Sequence, residues 1–298
     1  MVHGFVSGIY AAPVTPRRAS GHEIDLAAML EFVDYLGESG VDGIALLCPA
    51  GEFVHFNPEE RVRVTALATK RSRLPVLANC SHSTLDGAVF IAQEISGAGV
   101  AGLLLMPPYF FRYEQPEIER FYLEFMDLCG ASPPVYLSNV PSFTSEIAPS
   151  TAARLLATGR FAGIHDVSRH WGAFDSGAGF PRVAGCDATY AGARSKGAAG
   201  AISETACVVP ELMVALDRAI EAGAPDAIAR LEARLNELLA WIDSFPSPVG
   251  IREAAAARGL KAGPPAVPLG PENVQRAAEF RAWFQAWLPA VQKECKDV

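Results

Sequence analysis

Short, nearly unbroken apolar runs recur along the chain, at residues 8–15, 43–48, 74–80, 102–106, 134–139, 161–166, 182–185 and 198–203. Longer stretches between them carry apolar residues at helical spacing. Strands buried on one face alternate apolar and polar residues, whereas strands covered on both faces read as continuous apolar runs, as in parallel sheets. The intervals are long enough for a crossover helix between successive parallel strands. In residues 23–38, Ile24, Leu26, Leu30, Phe32, Val33 and Leu36 make one broad apolar stripe. Asn57-Pro58-Glu59-Glu60 combines an N-cap, a proline suited to the first helical position and acids at the positive end of the helix dipole. Ser83 or Thr84 can cap a helix over 85–96.

Four junctions share one punctuation, with a glycine ending a helix and a short turn feeding the next strand: Gly40 to Gly43, Gly99 to Gly102, Gly159 to Gly163 and Gly197 to Gly200. Repeated units of this kind predict an α/β fold, a (β/α)8 TIM barrel with a C-terminal helical extension. The strand pattern stops near residue 210. Segments 210–222, 226–242, 249–258 and 272–288 read as helices, separated by Pro246, Pro248, Pro264, Pro265, Pro268 and Pro271. The first of these helices completes the barrel. The expected division is a barrel over 1–224 and the extension over 225–298. No G-x-G-x-x-G follows the first strand, which disfavours an open dinucleotide-binding sheet.

Composition narrows the function classes. Half of the 298 residues are hydrophobic, enough for a large core, and the formal net charge is -8 with no long run of one sign. Nucleic-acid binding needs a basic face, so none is expected. No apolar stretch approaches the about 18 residues of a membrane span, and no secretory leader precedes the first strand, so no membrane partner and a cytoplasmic location are expected. The six cysteines form no C-x-x-C pair and read as reduced thiols.

Several segments, in order, resemble the dihydrodipicolinate synthase / N-acetylneuraminate lyase family. Gly8 to Pro16 is similar to its first strand. Cys48-Pro49-Ala50-Gly51-Glu52 stands where the family has G-T-T-G-E, and Met106-Pro107-Pro108-Tyr109-Phe110 resembles its P-Y-Y. Tyr136-Leu137-Ser138-Asn139-Val140-Pro141 resembles Y-N-x-P, Gly163-Ile164-His165-Asp166 resembles G-I-K-D, Gly185-Cys186-Asp187 resembles G-x-D, and Gly200-Ala201-Ile202-Ser203 resembles G-x-I-S. The late segments 249–257 and 263–269 resemble its R-x-P-L region. The resemblance implies an imine between a lysine and a 2-keto acid, a tyrosine proton shuttle, hydroxyls that relay protons and an arginine that holds a carboxylate. It also implies a homo-oligomer, tetramer or dimer, and an organic-acid or sugar-acid ligand. Here the lysine position holds His165, the tyrosine position Ser138, the two threonine positions Pro49 and Ala50, the second tyrosine of P-Y-Y Phe110 and the arginine position Phe143. Imidazole forms no stable imine with a ketone, and proline at 49 removes a backbone N–H that a carboxylate could use. Lys70 and Lys196 are expected at the bottom face, away from the mouth, Lys293 and Lys296 lie in the tail, and Lys261 falls in the extension.

Barrel chemistry comes from strand C-terminal ends. The candidate catalytic residues are His165, Ser138 and Tyr109, and the candidate substrate-binding residues are Ala50, Gly51, Glu52, Asn139, Asp187 and Ser203. Tyr109 also reads as a packing residue at the mouth or a subunit contact. Neighbouring parallel strands lie about 4.8 Å apart, so Ser138 and His165 can touch if both point inward, while Asp166 should face the opposite side. Three functions stay open. His165 and Ser138 act as acid, base or nucleophile on a small keto or carboxylic acid; the barrel is a non-catalytic binder or scaffold in which His165 fills the lysine's space; or a relocated lysine keeps the lyase active. No cofactor is expected. A metal held among His82, His165, Cys48, Cys80, Cys186 and Asp187 lacks the usual ligand spacing, and buried thiols more often pack as small apolar groups. Trp241, Trp283 and Trp287 read as packing residues, His55 and His170 as loop or helix-start residues, and His3 and His22 as solvated.

Overall fold

A computed structural model describes residues 6–19, 23–168 and 181–296. His3, His22 and His170 therefore lie outside the described residues. Among the described residues the strands are β1 (Gly8–Ala11), β2 (Gly43–Leu46), β3 (Val76–Asn79), β4 (Gly102–Leu105), β5 (Val135–Asn139), β6 (Gly163–Asp166), β7 (Arg182–Ala184) and β8 (Gly200–Ser203). Every neighbouring pair is parallel, and β1 pairs with β8, so the sheet closes into a barrel. The helices around it are α1 (Leu26–Gly37), α2 (Pro58–Arg71), α3 (Leu85–Ser96), α4 (Gln115–Cys129), α5 (Pro149–Ala157), α6 (Tyr190–Ser195) and α7 (Pro210–Glu221). The extension contributes α8 (Pro225–Ile242), α9 (Val249–Ala257) and α10 (Pro271–Cys295).

The strands are shorter than their apolar runs. β1 stops at Ala11, ahead of Pro13, which has no N–H for the ladder. Alternate residues divide between two cores. Tyr10, Ala45, Leu77, Leu104, Tyr136, Val183 and Ile202 fill the barrel interior. Ile44, Leu46, Leu103, Leu105, Leu137 and Ile164 face the surrounding helices. This two-sided burial is why the runs read as continuous in sequence.

The punctuation glycines Gly40, Gly99, Gly159 and Gly197 have φ of +85, +84, +70 and +84°, a region costly for any residue with a Cβ. Helix α1 begins later than its stripe implies, because Asp25 caps it and accepts the Ala28 N–H. Asn57 and Glu60 form the full capping box of α2, worth about 1 kcal/mol. Helix α10 continues beyond the expected end at Leu288, through Pro289 to Cys295. Pro289 sits on the exposed face, where water can take the carbonyl it frees.

One hydrophobic cluster joins barrel and extension, linking Leu212 and Leu216 of α7 with Leu231, Leu235 and Leu238 of α8 and Phe280 and Phe284 of α10. The expected division at 224/225 falls in the turn between α7 and α8. Trp241, Trp283 and Trp287 stack along this seam, with centroids 5.7 and 5.1 Å apart, as packing residues. Among the described residues no helix is long and apolar enough to cross a membrane.

Candidate functional site

A cavity of about 330 Å³ opens at the C-terminal end of the strands. Its wall includes Cys48 and Pro49 after β2, His165 on β6, Gly185 and Asp187 after β7, and Glu204 after β8. The extension closes it: Leu239, Ile242 and Asp243 at the end of α8 and Ile251 of α9 also line it. Sequence reasoning placed none of these extension residues at the mouth.

The β5/β6 register sets Ser138 opposite His165. Both side chains point inward, and Ser138 Oγ lies 3.0 Å from His165 Nδ1. The expected pair is therefore formed. His165 is 3 % exposed, and burial lowers its pKa to about 4, so the imidazole is neutral near pH 7. Its Nε2 has no hydrogen-bond partner among the described residues. Asp166 points the other way, as alternation requires, and accepts from Asn139 Nδ2 at 2.8 Å and Ser168 Oγ at 2.8 Å.

Two carboxyl groups stand across the cavity from this pair. Asp187 Oδ2 accepts the Thr205 N–H at 2.9 Å, while Oδ1 is buried with no partner among the described residues. Burial holds the Asp187 carboxyl above the usual range. Glu204 is ringed by protein, and burial, with the nearby charge of Asp187, raises its pKa to about 7. The backbone N–H of nearby Ala50 partly offsets that rise. In the sequence Glu204 stands just past the last apolar run, with no motif that singles it out. Its conformation in the turn after β8, rather than any periodicity, brings it into the cavity.

The other candidates separate. Ala50 is buried and is not among the residues that line the cavity, and Gly51 packs tightly, where a Cβ would come within 3.2 Å of the Pro13 carbonyl. Glu52 turns away at φ +52° and pairs with the buried Arg252 of α9, with His55 Nδ1 3.3 Å from its other oxygen. Asn139 braces the β5 end, donating to Asp166 and accepting the Ile147 N–H at 2.9 Å. Ser203 Oγ accepts the Ala206 N–H at 3.0 Å. Tyr109 lines an adjoining apolar groove with Phe53, Val54, Phe110 and Phe143, edge-on to Phe53 at 5.5 Å; the groove shares Pro49 and Phe143 with the His165 cavity. The structure does not bring it into the His165 cavity.

No lysine lines the cavity. Lys70 and Lys196 lie at the C-terminal ends of α2 and α6, at the bottom face. Lys261 pairs with Glu31 at 2.8 Å on the surface, and Lys293 and Lys296 lie at the end of α10. Burial pushes the Cys80 thiol up to about 12 and the Cys48 thiol higher still, which opposes thiolate formation. His82 Nδ1 is engaged with Thr84 Oγ1 at 3.0 Å. Among the described residues no group of three or more His, Cys, Asp or Glu side chains is placed to hold a metal ion.

Known proteins of this architecture share both fold and sequence. The 4-hydroxy-tetrahydrodipicolinate synthase of Hyphomonas neptunium is 30% identical over 271 residues, 87% of this chain and 89% of that protein. A 4-hydroxy-tetrahydrodipicolinate synthase of Streptomyces coelicolor is 31% identical over 286 residues, 92% of this chain and 91% of that protein. Among solved structures, the 4-hydroxy-tetrahydrodipicolinate synthase of Methylacidiphilum fumariolicum superimposes with a TM-score of 0.87 at 24% identity, covering 97% of this chain and 99% of that one. The Ruminococcus gnavus sialic acid aldolase gives 0.87 at 20% identity, covering 96% and 99%. The sequence model of the dihydrodipicolinate synthetase family matches residues 5–287, and this chain belongs to that family.

Proposed function

We propose that the barrel mouth carries out lyase-type acid–base chemistry on a small carbonyl compound without an imine. The observation that carries this reading is the Ser138-anchored His165, neutral and with an open Nε2, in the same cavity as Glu204. Two groups whose surroundings drive their pKa values apart are suited to different roles. A carboxyl poised near 7 exchanges protons efficiently at neutral pH. A neutral imidazole with Ser138 donating to Nδ1 presents Nε2–H to a carbonyl oxygen.

For a β-hydroxy carbonyl substrate, the Glu204 carboxylate takes the hydroxyl proton and the carbon–carbon bond beside that carbinol carbon breaks. The bond's electron pair forms an enolate, whose oxygen accepts the His165 N–H. The Glu204 carboxyl then returns the proton to the enolate carbon, giving two carbonyl products. Ser138 positions the ring. The substrate class is a small keto compound or keto acid. The five lysines leave no amine at the mouth, which supports chemistry without an imine. A homo-oligomer, dimer or tetramer, goes with this reading.

The test is proton exchange. Hydroxyacetone in deuterated buffer, followed by proton NMR, should lose C–H signal faster with protein than without. Glu204→Gln and His165→Ala should each reduce that exchange by about 10²-fold or more, the usual weight of one acid–base group. Exchange that survives His165→Ala, or a covalent pyruvate adduct after borohydride reduction, overturns the proposal.

A further inference from the structure

The β5/β6 ladder runs one rung past the strands, with the Val167 N–H donating to the Asn139 carbonyl at 3.0 Å. Side chains alternate along an extended segment, so Val167 points inward with His165 while Asp166 between them points out. A methyl of Val167 lands beside the ring. Nε2 of His165 and Cγ2 of Val167 lie 2.3 and 2.6 Å from the place a Cβ on Gly185 would take, and all three residues line the cavity. A carbonyl that accepts from Nε2 therefore has an apolar neighbour for one of its carbon substituents.

The end of β5 supplies a matching side. Val140, two residues past Ser138, is 1 % exposed and lines the cavity. Its carbonyl accepts the N–H of Phe143 at 3.0 Å and that of Thr144 at 3.1 Å, a tight turn that returns Phe143 to the cavity wall. The Phe143 side chain is half-exposed there. The extension adds Ile242 and Ile251 to the same lining. A half-exposed ring at a cavity rim gains when apolar surface covers it. An ether or hydroxyl oxygen pressed against Val140 and Val167 loses its water and finds no hydrogen-bond partner in their side chains.

We infer that Val140, Phe143 and Val167 are the specificity wall of this cavity, so that the carbonyl ligand carries an apolar alkyl or aryl substituent on the side away from the bond that breaks. The inference rests on the proposed use of the cavity as the ligand site, but it concerns how the substituent is bound rather than turnover. The three residues act on the ligand by contact and exchange no proton. Val167 sets what lies next to the carbonyl, and Phe143, at the rim, closes over the end of the substituent. Discrimination between substituents follows from the surface each one buries and from any polar atom it leaves unpaired.

2-Pentanone and methoxyacetone form a matched pair of probes: the ketone and the length are the same, and an ether oxygen in the second replaces a methylene of the first. Saturation-transfer NMR titrations on the full chain should show 2-pentanone binding at least about tenfold more tightly. Both signals should fall when hydroxyacetone is added as a competitor for the same cavity. Val167→Thr keeps the branched shape but sets a hydroxyl beside the ring, and should narrow the ratio to about threefold or less. Phe143→Ser should narrow it too, and serves alone if the threonine variant fails to fold, as judged by circular dichroism. Equal binding of the two probes by the unaltered protein overturns the inference. So does a ratio unchanged in the folded variants, a signal indifferent to the competitor, or no binding of either probe. A failed exchange experiment with the ratio intact would count against the proposed chemistry alone.

Discussion

Gly185 lies directly under the imidazole of His165: a Cβ at that position would stand 2.3 Å from Nε2 and 2.6 Å from Cγ2 of Val167. The ring cannot swing clear cheaply, because Nδ1 is held by Ser138 and the side chain is buried. The absence of a side chain on β7's exit therefore fixes where Nε2 can sit.

Gly185→Ala is expected to push His165 off Ser138 and lose most of the exchange activity. Overpacking of this kind costs about 1–3 kcal/mol of stability. Urea denaturation together with the hydroxyacetone exchange rate checks both. A variant with unchanged activity would show that Nε2 does not need its present position.

Arg252 of α9 anchors the loop after β2, by pairing with Glu52 and bonding the Thr15 carbonyl at 3.0 Å. Both partners of the ion pair are at most 5 % exposed. Arg252→Met would leave Glu52 buried with less compensation, a loss of about 3–5 kcal/mol for a fully buried pair. His55, 3.3 Å away, and the charge of Arg17 hold the expected loss to the lower end. Adding Glu52→Gln should restore part of it, read from the urea midpoints of the two variants.

Much of this architecture is visible in the chain itself, and the reasons are local. Two-sided burial wrote the strands as apolar runs, and glycine at positive φ marked each helix-to-strand turn. Ser138 and His165 could be paired in advance, because adjacent parallel strands in a barrel bring matching inward positions together. The reach of Glu204 into the cavity could not, since a residue just past a strand follows a turn conformation with no period. Nor could Arg252 with Glu52, which stand 200 residues apart and meet only because α9 folds back over the mouth. Tyr109 is readable either as catalytic or as a packing residue at the mouth; the loop after β4 carries its ring into the neighbouring apolar groove, where it packs on Phe53.

The two perturbed groups in the cavity oppose each other in their effect on stability. The folded-state pKa of Glu204 is raised to about 7, so the folded chain holds that proton more tightly than the unfolded chain. Its contribution is present at low pH and is lost as pH rises from about 4.3, the ordinary glutamate value, toward 7. The folded-state pKa of His165 is lowered to about 4, so the unfolded chain binds its proton first as pH falls below about 6.5. That contribution is present near neutrality and is lost as pH falls toward 4. Asp187, Asp243, Cys48 and Cys207 also face Glu204, and Asp187 shifts in the same direction as Glu204. Glu204→Gln should therefore make stability fall more steeply between pH 6.5 and 4.5. His165→Gln should make the same acidification less destabilising or even stabilising. Urea midpoints at pH 5, 6 and 7.5 for the three proteins give the comparison, and identical slopes would contradict the assigned environments.

The groove that holds Tyr109 is flanked by several apolar side chains left in contact with solvent. Phe110 is 84 % exposed, Phe111 65 %, Val54 52 % and Phe143 50 %. The rings of Phe110 and Phe111 meet edge-on at 5.0 Å, and Phe110 sits at φ +84°, which is costly for a bulky residue. Exposed apolar surface concentrated in one patch marks a contact face more often than a free one. Covering it with a second copy of the chain would bury several aromatic rings and would help hold Phe110 in its strained backbone conformation. The chain, of mass 31.7 kDa, should therefore sediment as a dimer or larger. Phe110→Lys combined with Phe111→Lys places charge at the centre of that patch and should shift the protein toward the monomer. Its circular dichroism should stay unchanged, because neither side chain belongs to the barrel core. Sedimentation velocity on both proteins decides the matter: a wild-type monomer, or an oligomer indifferent to the two lysines, would remove this face as the contact.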